Sequence, residues 1–544
     1  MSSEINIGLA QINVVVGGVE NNVDRIIEFA ERAKKQKCDL LVCAELVLTG
    51  YPPEDLLMRP GFNRRVEQQL KRLCDSVEGI DLIVGYPKQT EGGLLNIGAL
   101  IVDGKITHEY AKMDLPNYSV FDEKRYFTAG LDHCVVDYKG VKLGITVCED
   151  IWHDGPVEGA VEQGAQVIIN INGSPYHSKK IEERNDVVCG KANKLGVPII
   201  YVNQVGGQDE LVFDGASFAT DAQGHVVHQM VSFEEALGAV QISHDASALS
   251  VTGSQMEPEM EMLESIYRAL VLGVGDYVRK NGFKNVVIGL SGGIDSALTT
   301  TIAVDALGPE NVDVIMMPFR YTSDISKHDA HAEAEALGIN YHVVSIEPMY
   351  DAFIKQLSPV FGERAEDTTE ENIQARCRGL SLMAFSNKTG AMVLTTGNKS
   401  EMSVGYATLY GDMVGGYNAI KDVPKVLVYE LAKYRNTISP VIPERVITRE
   451  PSAELRPDQI DSDSLPPYEI LDPILELYVE QDCPPAEIVA KGYAKEYVSQ
   501  VIRMVDRNEY KRRQAAPGVR ITKRAFGRDR RYPITSGFKP KVDW

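Results

Sequence analysis

Two rhythms of apolar residues divide this chain. Over the first 245 positions short β-type runs alternate with helical ones. Residues 5–10 read as a strand, and 19–35 repeat their apolar positions at helical spacing. Apolar runs at 39–45, 81–86, 96–102, 104–112, 134–138, 141–148, 166–172, 198–204, 211–220 and 225–231 read as further strands, with Gly140 as a hairpin turn. Hairpins mixed with strand–helix units predict a sandwich of two mixed sheets with helices outside. The second rhythm is regular: helix 258–281, strand 285–290, helix 294–305, strand 311–316, helix 326–337, strand 340–345. Such alternation predicts a doubly wound parallel sheet. The fold class is therefore α/β twice over. Domains are expected over 1–245 and 258–544, with the polar, aperiodic stretch 246–257 as a linker. Residues 437–467, rich in Pro, Ser, Asp and Glu, read as extended surface loop. The locally basic tail 511–541 is either a solvated tail or a segment that closes over an anionic ligand.

Length agrees with this division, since 544 residues exceed what one core holds. A net charge of −21 argues against broad binding to nucleic acid or an anionic membrane. The first residues show no basic-then-apolar signal pattern, and no apolar run reaches the ~18 residues of a membrane span. Eight cysteines are scattered without a CxxC pair, which fits the reducing cytoplasm. Each is by default a small buried hydrophobe, so a reactive one must be found by its neighbours.

The chemistry of the second half starts at Gly289, Leu290, Ser291, Gly292, Gly293, Ile294, Asp295 and Ser296, between an apolar run and a helical pattern. Glycines let the backbone approach an anion, and the helix start supplies free N–H groups. A Walker A loop would need a Lys that is absent here. The same residues fit G-x-S-x-G, but a hydrolase of that type needs a late His, and the last is His342. The SGGxDS string resembles the pyrophosphate loop of ATP pyrophosphatases. Further strings narrow that resemblance: 395–401 (TTGNKSE), 405–412 (GYATLYGD), Lys421 to Lys425, 371–378 (ENIQARCR), 451–455 (PSAEL) and 510–513 (YKRR). Together they resemble NAD synthetase domains. The resemblance implies that Thr396 contacts ATP with the loop, that Asp295 and Glu401 hold Mg²⁺, and that Asn372, Glu401 and Lys511 contact deamido-NAD. One departure from the family pattern is that Gln459 precedes Asp461-Ser462-Asp463, which puts a local contact in doubt.

The first half carries three polar residues at or just past the ends of apolar runs: Glu45, Lys112 and Cys148. Loops can bring such positions together. A Cys thiolate attacks an amide carbon, a carboxylate moves its proton, and an ammonium offsets the oxyanion. The set resembles the Glu-Lys-Cys triad of the nitrilase superfamily. The string 117–123 (NYSVFDE) points further to the glutaminase domains of NAD synthetases. The resemblance implies that Tyr118, Ser174 and Lys180 bind glutamine, with Lys179 as the rival of Lys180. It also implies an α-β-β-α sandwich here and a homo-oligomer. The expected activity is glutamine-hydrolysing NAD⁺ synthesis from deamido-NAD, ATP and L-glutamine. The rivals are another amidating ATP pyrophosphatase and a sensor with a dead glutaminase domain.

Overall fold

The computed structural model describes residues 3–244, 249–457 and 459–541. The chain forms two compact units, Met1–Met260 and Glu261–Trp544.

In the first unit a seven-stranded sheet runs in the order Leu249–Gly253, Ala236–His244, Ser3–Gln11, Leu40–Val42, Asp81–Thr90, Gly93–Val102, Lys105–Ala111. A six-stranded sheet runs Val226–Gln229, Phe218–Thr220, Ile199–Asn203, Val167–Asn172, Val141–Val147, Cys134–Tyr138. Strand alternation sorts the side chains. Ile5, Ile7, Leu9 and Ile83 join Leu143, Ile145, Val147 and Ile169 in one core. Ala10, Leu41, Leu82 and Val84 join another core with Val23, Ile26, Phe29 and Leu73 of helices Val19–Lys35 and Pro60–Ser76. Helices Pro156–Glu162 and Lys180–Leu195 cover the other sheet through Val157, Ala160, Val188 and Ala192. Strand Val167–Asn172 is buried along its whole length, which is why it reads as a continuous apolar run. The unit is the expected α-β-β-α sandwich.

Two readings change here. The stretch taken as a linker, 246–257, contains strand Leu249–Gly253, paired antiparallel to Ala236–His244; positions 246–248 lie outside the described residues. The run 211–220 is two strands, Leu211–Asp214 and Phe218–Thr220, parted where Gly215 and Ala216 take φ of +66° and +49°.

The second unit carries a wholly parallel five-stranded sheet, ordered Asn340–Val343, Val312–Met316, Val286–Gly289, Met392–Thr395, Tyr417–Asn418. The chain order reverses beside Val286–Gly289, so the loop after that strand opens at the switch point where α/β sheets bind ligands. Val287, Ile315 and Val393 pack with Ile373, Cys377 and Leu382 of helix Thr368–Thr389. The stretch 437–467 is not surface loop. It holds helix Glu444–Thr448, and Ile442, Val446, Ile447 and Leu465 are buried. The basic tail follows neither expectation alone, because Arg520 and Arg530 are buried and pair with Asp529 and Glu509 at 2.9 Å each.

Candidate active sites

Three loops of the first unit converge on one buried cluster. Glu45 follows strand Leu40–Val42, and Gly85 seats its segment: a Cβ at Gly85 would lie 2.3 Å from the Leu46 nitrogen. Lys112 follows strand Lys105–Ala111, and its backbone N–H donates to Asn96 O at 2.9 Å. Cys148 ends strand Val141–Val147 and begins the turn Cys148–Ile151 with φ +46°, a left-handed conformation that a side chain takes only when its surroundings enforce it. Asp150 enforces it. Its carboxylate accepts from Val147 N at 2.9 Å, Asp114 N at 2.8 Å, Met113 N at 3.1 Å and the Tyr110 hydroxyl at 2.8 Å. One buried carboxylate thus ties the Cys148 turn to the Lys112 loop.

Lys112 is fully buried and donates to Glu45 Oε1 and Glu123 Oε1, each at 2.8 Å. Glu45 also accepts from Asn96 Nδ2 at 2.8 Å and Gly173 N at 2.9 Å, while the Tyr51 hydroxyl donates to Glu123 at 2.8 Å. Burial opposes the Lys112 charge, but Glu123 and Glu45 outweigh it and hold the ammonium well above the ordinary lysine pKa. Burial raises the Glu123 carboxyl, with Lys112 acting against the rise. The Cys148 thiol is pushed far up by burial and then by Glu45, with Lys112 pulling the other way. The resting sulfur is a thiol beside an anchored carboxylate and a permanent cation.

The expected glutamine contacts lie around this cluster. The Tyr118 hydroxyl donates to Glu149 at 2.8 Å. Ser174 is buried, its N–H bonded to Asn203 Oδ1 at 3.0 Å. The Lys180 ammonium sits 3.7 Å over the Trp152 ring, and burial, then Arg184, pull its pKa down to about 8. Lys179 is exposed. Glu123 lies within the string 117–123, and neither it nor Asp150 carries a role from sequence.

In the second unit the Ser291 N–H donates to Ser296 Oγ at 3.1 Å, and Gly293 N–H to Ser291 Oγ at 3.2 Å, forming a tight turn at the start of helix Ile294–Leu307. Gly292 has φ +79°, and a Cβ there would sit 2.3 Å from Ser326 O. The loop opens on a cavity of about 280 Å³. Its wall includes Gly289, Leu290, Ser291, Gly293, Ile294, Asp295 and Ser296, with Thr396 and Glu401. Arg378, Asp412, Lys425, Arg449, Glu450, Glu454 and Asp461 add to its charged lining. The segment read as surface loop is therefore part of this wall. Asp295 accepts from Asn398 Nδ2 at 2.8 Å, and the Lys425 ammonium bridges Asp295 and Glu401, the latter at 3.2 Å. Burial raises the Glu401 carboxyl, with Lys425 opposing and Asp295 and Asp461 adding to it. Lys425 is a site residue that sequence reasoning named only within a motif. Asn372 and Lys511 do not line the cavity. Asn372 accepts from Thr408 Oγ1 at 2.8 Å, and the Lys511 ammonium donates to Gly405 O and Ala407 O at 2.8 Å each, so both brace the 405–408 segment.

The two units match two family models: carbon-nitrogen hydrolase over residues 6–249 and NAD synthase over 266–515. Over nearly its whole length the chain is 49% identical to the glutamine-dependent NAD(+) synthetase of Acinetobacter baylyi, covering 98% of this chain and 99% of that one. The chain belongs to the glutamine-dependent NAD(+) synthetases. The synthetase of Synechocystis sp. is 43% identical, with 98% and 99% covered. Among solved structures, the glutamine-dependent NAD+ synthetase of Acinetobacter baumannii in complex with ADP superposes with a TM-score of 0.81 at 47% identity, covering 98% of each chain. The glutamine-dependent NAD(+) synthetase of Cytophaga hutchinsonii, at 23% identity, shares the fold with a TM-score of 0.84.

Proposed function

We propose that this chain converts deamido-NAD to NAD⁺, consuming ATP and L-glutamine and releasing AMP, pyrophosphate, glutamate and NAD⁺. One observation carries the reading: a single chain holds both a buried Glu45–Lys112–Cys148 cluster and a Ser291–Ser296 loop opening on a cavity with paired carboxylates.

In the first unit Glu45 takes the Cys148 proton as sulfur attacks the glutamine amide carbon. Lys112 offsets the oxyanion, and the proton passes to the departing ammonia. Water then frees glutamate from the thioester. In the second unit the deamido-NAD carboxylate attacks the α-phosphorus of ATP, and pyrophosphate leaves toward Ser291, Ser296 and the loop N–H groups. Ammonia displaces AMP from the acyl-adenylate. Asp295 and Glu401 offer hard oxygen donors across one ammonium, Lys425, and among the described residues no third acidic, His or Cys ligand joins them. That pair fits Mg²⁺ whose remaining positions are filled by phosphate oxygens and water. Such a cation would neutralise charge on the polyphosphate. Thr396 is assigned to ATP, Asn372 and Lys511 to deamido-NAD, and Tyr118, Ser174 and Lys180 to glutamine. Among the described residues no helix is long and apolar enough to cross a membrane. The free cysteines accord with a cytoplasmic protein, and a homo-oligomer is assigned with it.

Cys148→Ala tests the reading. It abolishes NAD⁺ formation from glutamine and leaves formation from ammonium salts, whereas Asp295→Ala removes both. Equal loss from both nitrogen donors in Cys148→Ala, or ADP and phosphate as products, overturns it.

A further inference from the structure

Helix Lys399–Val404 carries Glu401 into the second unit's cavity, yet its six residues are too few for a helix to stand by itself. The last carbonyls of any helix have no partner within it. Here the partners come from between 104 and 110 positions further along the chain. The Arg512 guanidinium donates to Ser403 O at 2.6 Å and reaches Met402 O at 3.5 Å. Asn508 Nδ2 donates to Val404 O at 2.8 Å, and the Lys511 ammonium to Gly405 O at 2.8 Å. Two cations at this end also offset the partial negative charge of a helix C-terminus. The approach is close: Gly405 has φ +72°, and a Cβ on it would lie 2.2 Å from Asn508 Cγ.

The same stretch of chain also grips the start of the helix. Lys399 is buried, and its ammonium donates to Thr522 Oγ1 and Glu480 Oε1 at 2.7 Å each and pairs with Asp422 at 2.9 Å. Burial opposes that charge, but Asp422 and Glu480 outweigh it. Arg512 is itself fixed in place. It donates to Glu509 Oε2 at 2.8 Å and Val505 O at 2.5 Å, and the Phe526 ring lies 4.6 Å from its guanidinium. Arg530 holds Glu509 in turn, at 2.9 Å. This part of the basic tail is therefore turned inward, onto one short helix.

We infer that Arg512 is a positioning residue of the synthesis site, which caps helix Lys399–Val404 and thereby holds Glu401 at the phosphate loop. The inference rests on the proposed binding of ATP with Mg²⁺ in that cavity. Arg512 does not line the cavity and acts through the backbone of Met402 and Ser403. Ser403 is fully buried, so without the guanidinium its carbonyl has neither a donor nor water, and the turn that bears Glu401 must shift to find one. Glu401 then leaves the Lys425 ammonium, which it meets at 3.2 Å beside Asp295.

The test is a double-mutant cycle between Arg512→Lys and Glu401→Gln in the full chain, read by titration calorimetry as the affinity for ATP with Mg²⁺. Lysine keeps a charge beside Glu509 but has no fork to span Glu509 and Ser403 O. Arg512→Lys is expected to weaken ATP binding about tenfold, the loss that follows removal of a charge-assisted hydrogen bond. In the Glu401→Gln background the same change is expected to cost about twofold or less, because a residue that acts through Glu401 has nothing left to position. A merely structural role costs the same factor in both backgrounds, and that result overturns the inference. Asn508→Ala removes the neighbouring cap on Val404 O and runs through the same cycle, so the outcome does not hang on how Arg512→Lys folds. Equal factors for it in both backgrounds count against the inference in the same way. A wild-type chain that binds no ATP, or turns it into ADP and phosphate, would instead remove the reading on which the inference stands.

Discussion

At the scale of single residues, the first unit's chemistry depends on charges held without water. Lys112→Met leaves Glu45 and Glu123 buried with no cation, so it is expected to abolish glutamine-driven synthesis and to cost that unit about 3–5 kcal/mol. The sign of its pH dependence follows from Glu123, whose carboxyl burial raises from 4.5 to about 7. The folded state then binds the proton more tightly than the unfolded state, so this contribution is full below 4.5 and is lost as pH rises through 7. Denaturant titrations should therefore find Lys112→Met less destabilised at acid pH than at alkaline pH; the reverse order would show that Glu123 is not the group left charged. Lys180 gives a kinetic counterpart. With its pKa pulled down to about 8, it is charged below that value and neutral above it. The KM for glutamine should rise above about pH 8, and Lys180→Arg should remove that break, because arginine keeps its charge. A break that persists in Lys180→Arg belongs to another group. Glu45, Lys112 and Cys148 were legible in the sequence because each ends an apolar run, where strands hand over to loops. Lys425 lies within a motif, yet its Asp295 partner is 130 positions away, and the Tyr118 and Asp114 partners of Glu149 and Asp150 are 31 and 36 positions away. Contacts over such separations leave no local pattern.

Elements were legible in proportion to how regular their burial is. Helix Val19–Lys35 and strand Cys134–Tyr138 fall where periodicity puts them, because each buries one face against one neighbour. Strand Leu249–Gly253 was not seen, since only Val251 of it is fully buried and its pairing partner supplies the order. The stretch 437–467 misled because its prolines and acids serve a cavity wall and not solvent. The Ser291–Ser296 loop is where backbone geometry is most tightly constrained by a neighbouring element. Gly292 and Gly282 both have φ +79°, but a Cβ at Gly282 meets nothing within 4 Å, whereas one at Gly292 strikes Ser326 O. Gly282→Ala should therefore show only the left-handed backbone penalty of about 1 kcal/mol. Gly292→Ala should also push the loop off helix Asp324–Leu337 and remove synthesis from glutamine and ammonium alike. Paired melting curves and assays of both donors check this, and normal activity in Gly292→Ala would show that the loop tolerates displacement.

For the whole molecule, the question is how two units of nearly equal length share one nitrogen atom. Ammonia freed in water becomes ammonium, which is no nucleophile, and glutamine hydrolysed without an acceptor is wasted. A net charge of −21 adds to the difficulty, because an acidic molecule concentrates ammonium around itself and not ammonia. The sulfur of the first unit is a buried thiol whose pKa is raised by burial and then by Glu45, with Lys112 opposing. A small movement of Lys112 or of the Asp150 clamp would change the thiolate fraction steeply, since each pKa unit is tenfold. The activating signal should therefore be occupancy of the second unit, read as a better-formed cluster at Cys148. Deamido-NAD with ATP is expected to raise glutamate release by roughly 5- to 150-fold, the range of ordinary coupling between sites. While glutamine is present, ¹⁵N-ammonium in the buffer should enter NAD⁺ poorly. Alkylation of Cys148 by iodoacetamide gives an independent reading, because it reports thiolate without turnover and should quicken when the second unit is filled. Glutamate release and alkylation that ignore deamido-NAD, with free entry of ¹⁵N, would mean that the two units work as separate enzymes joined by one chain.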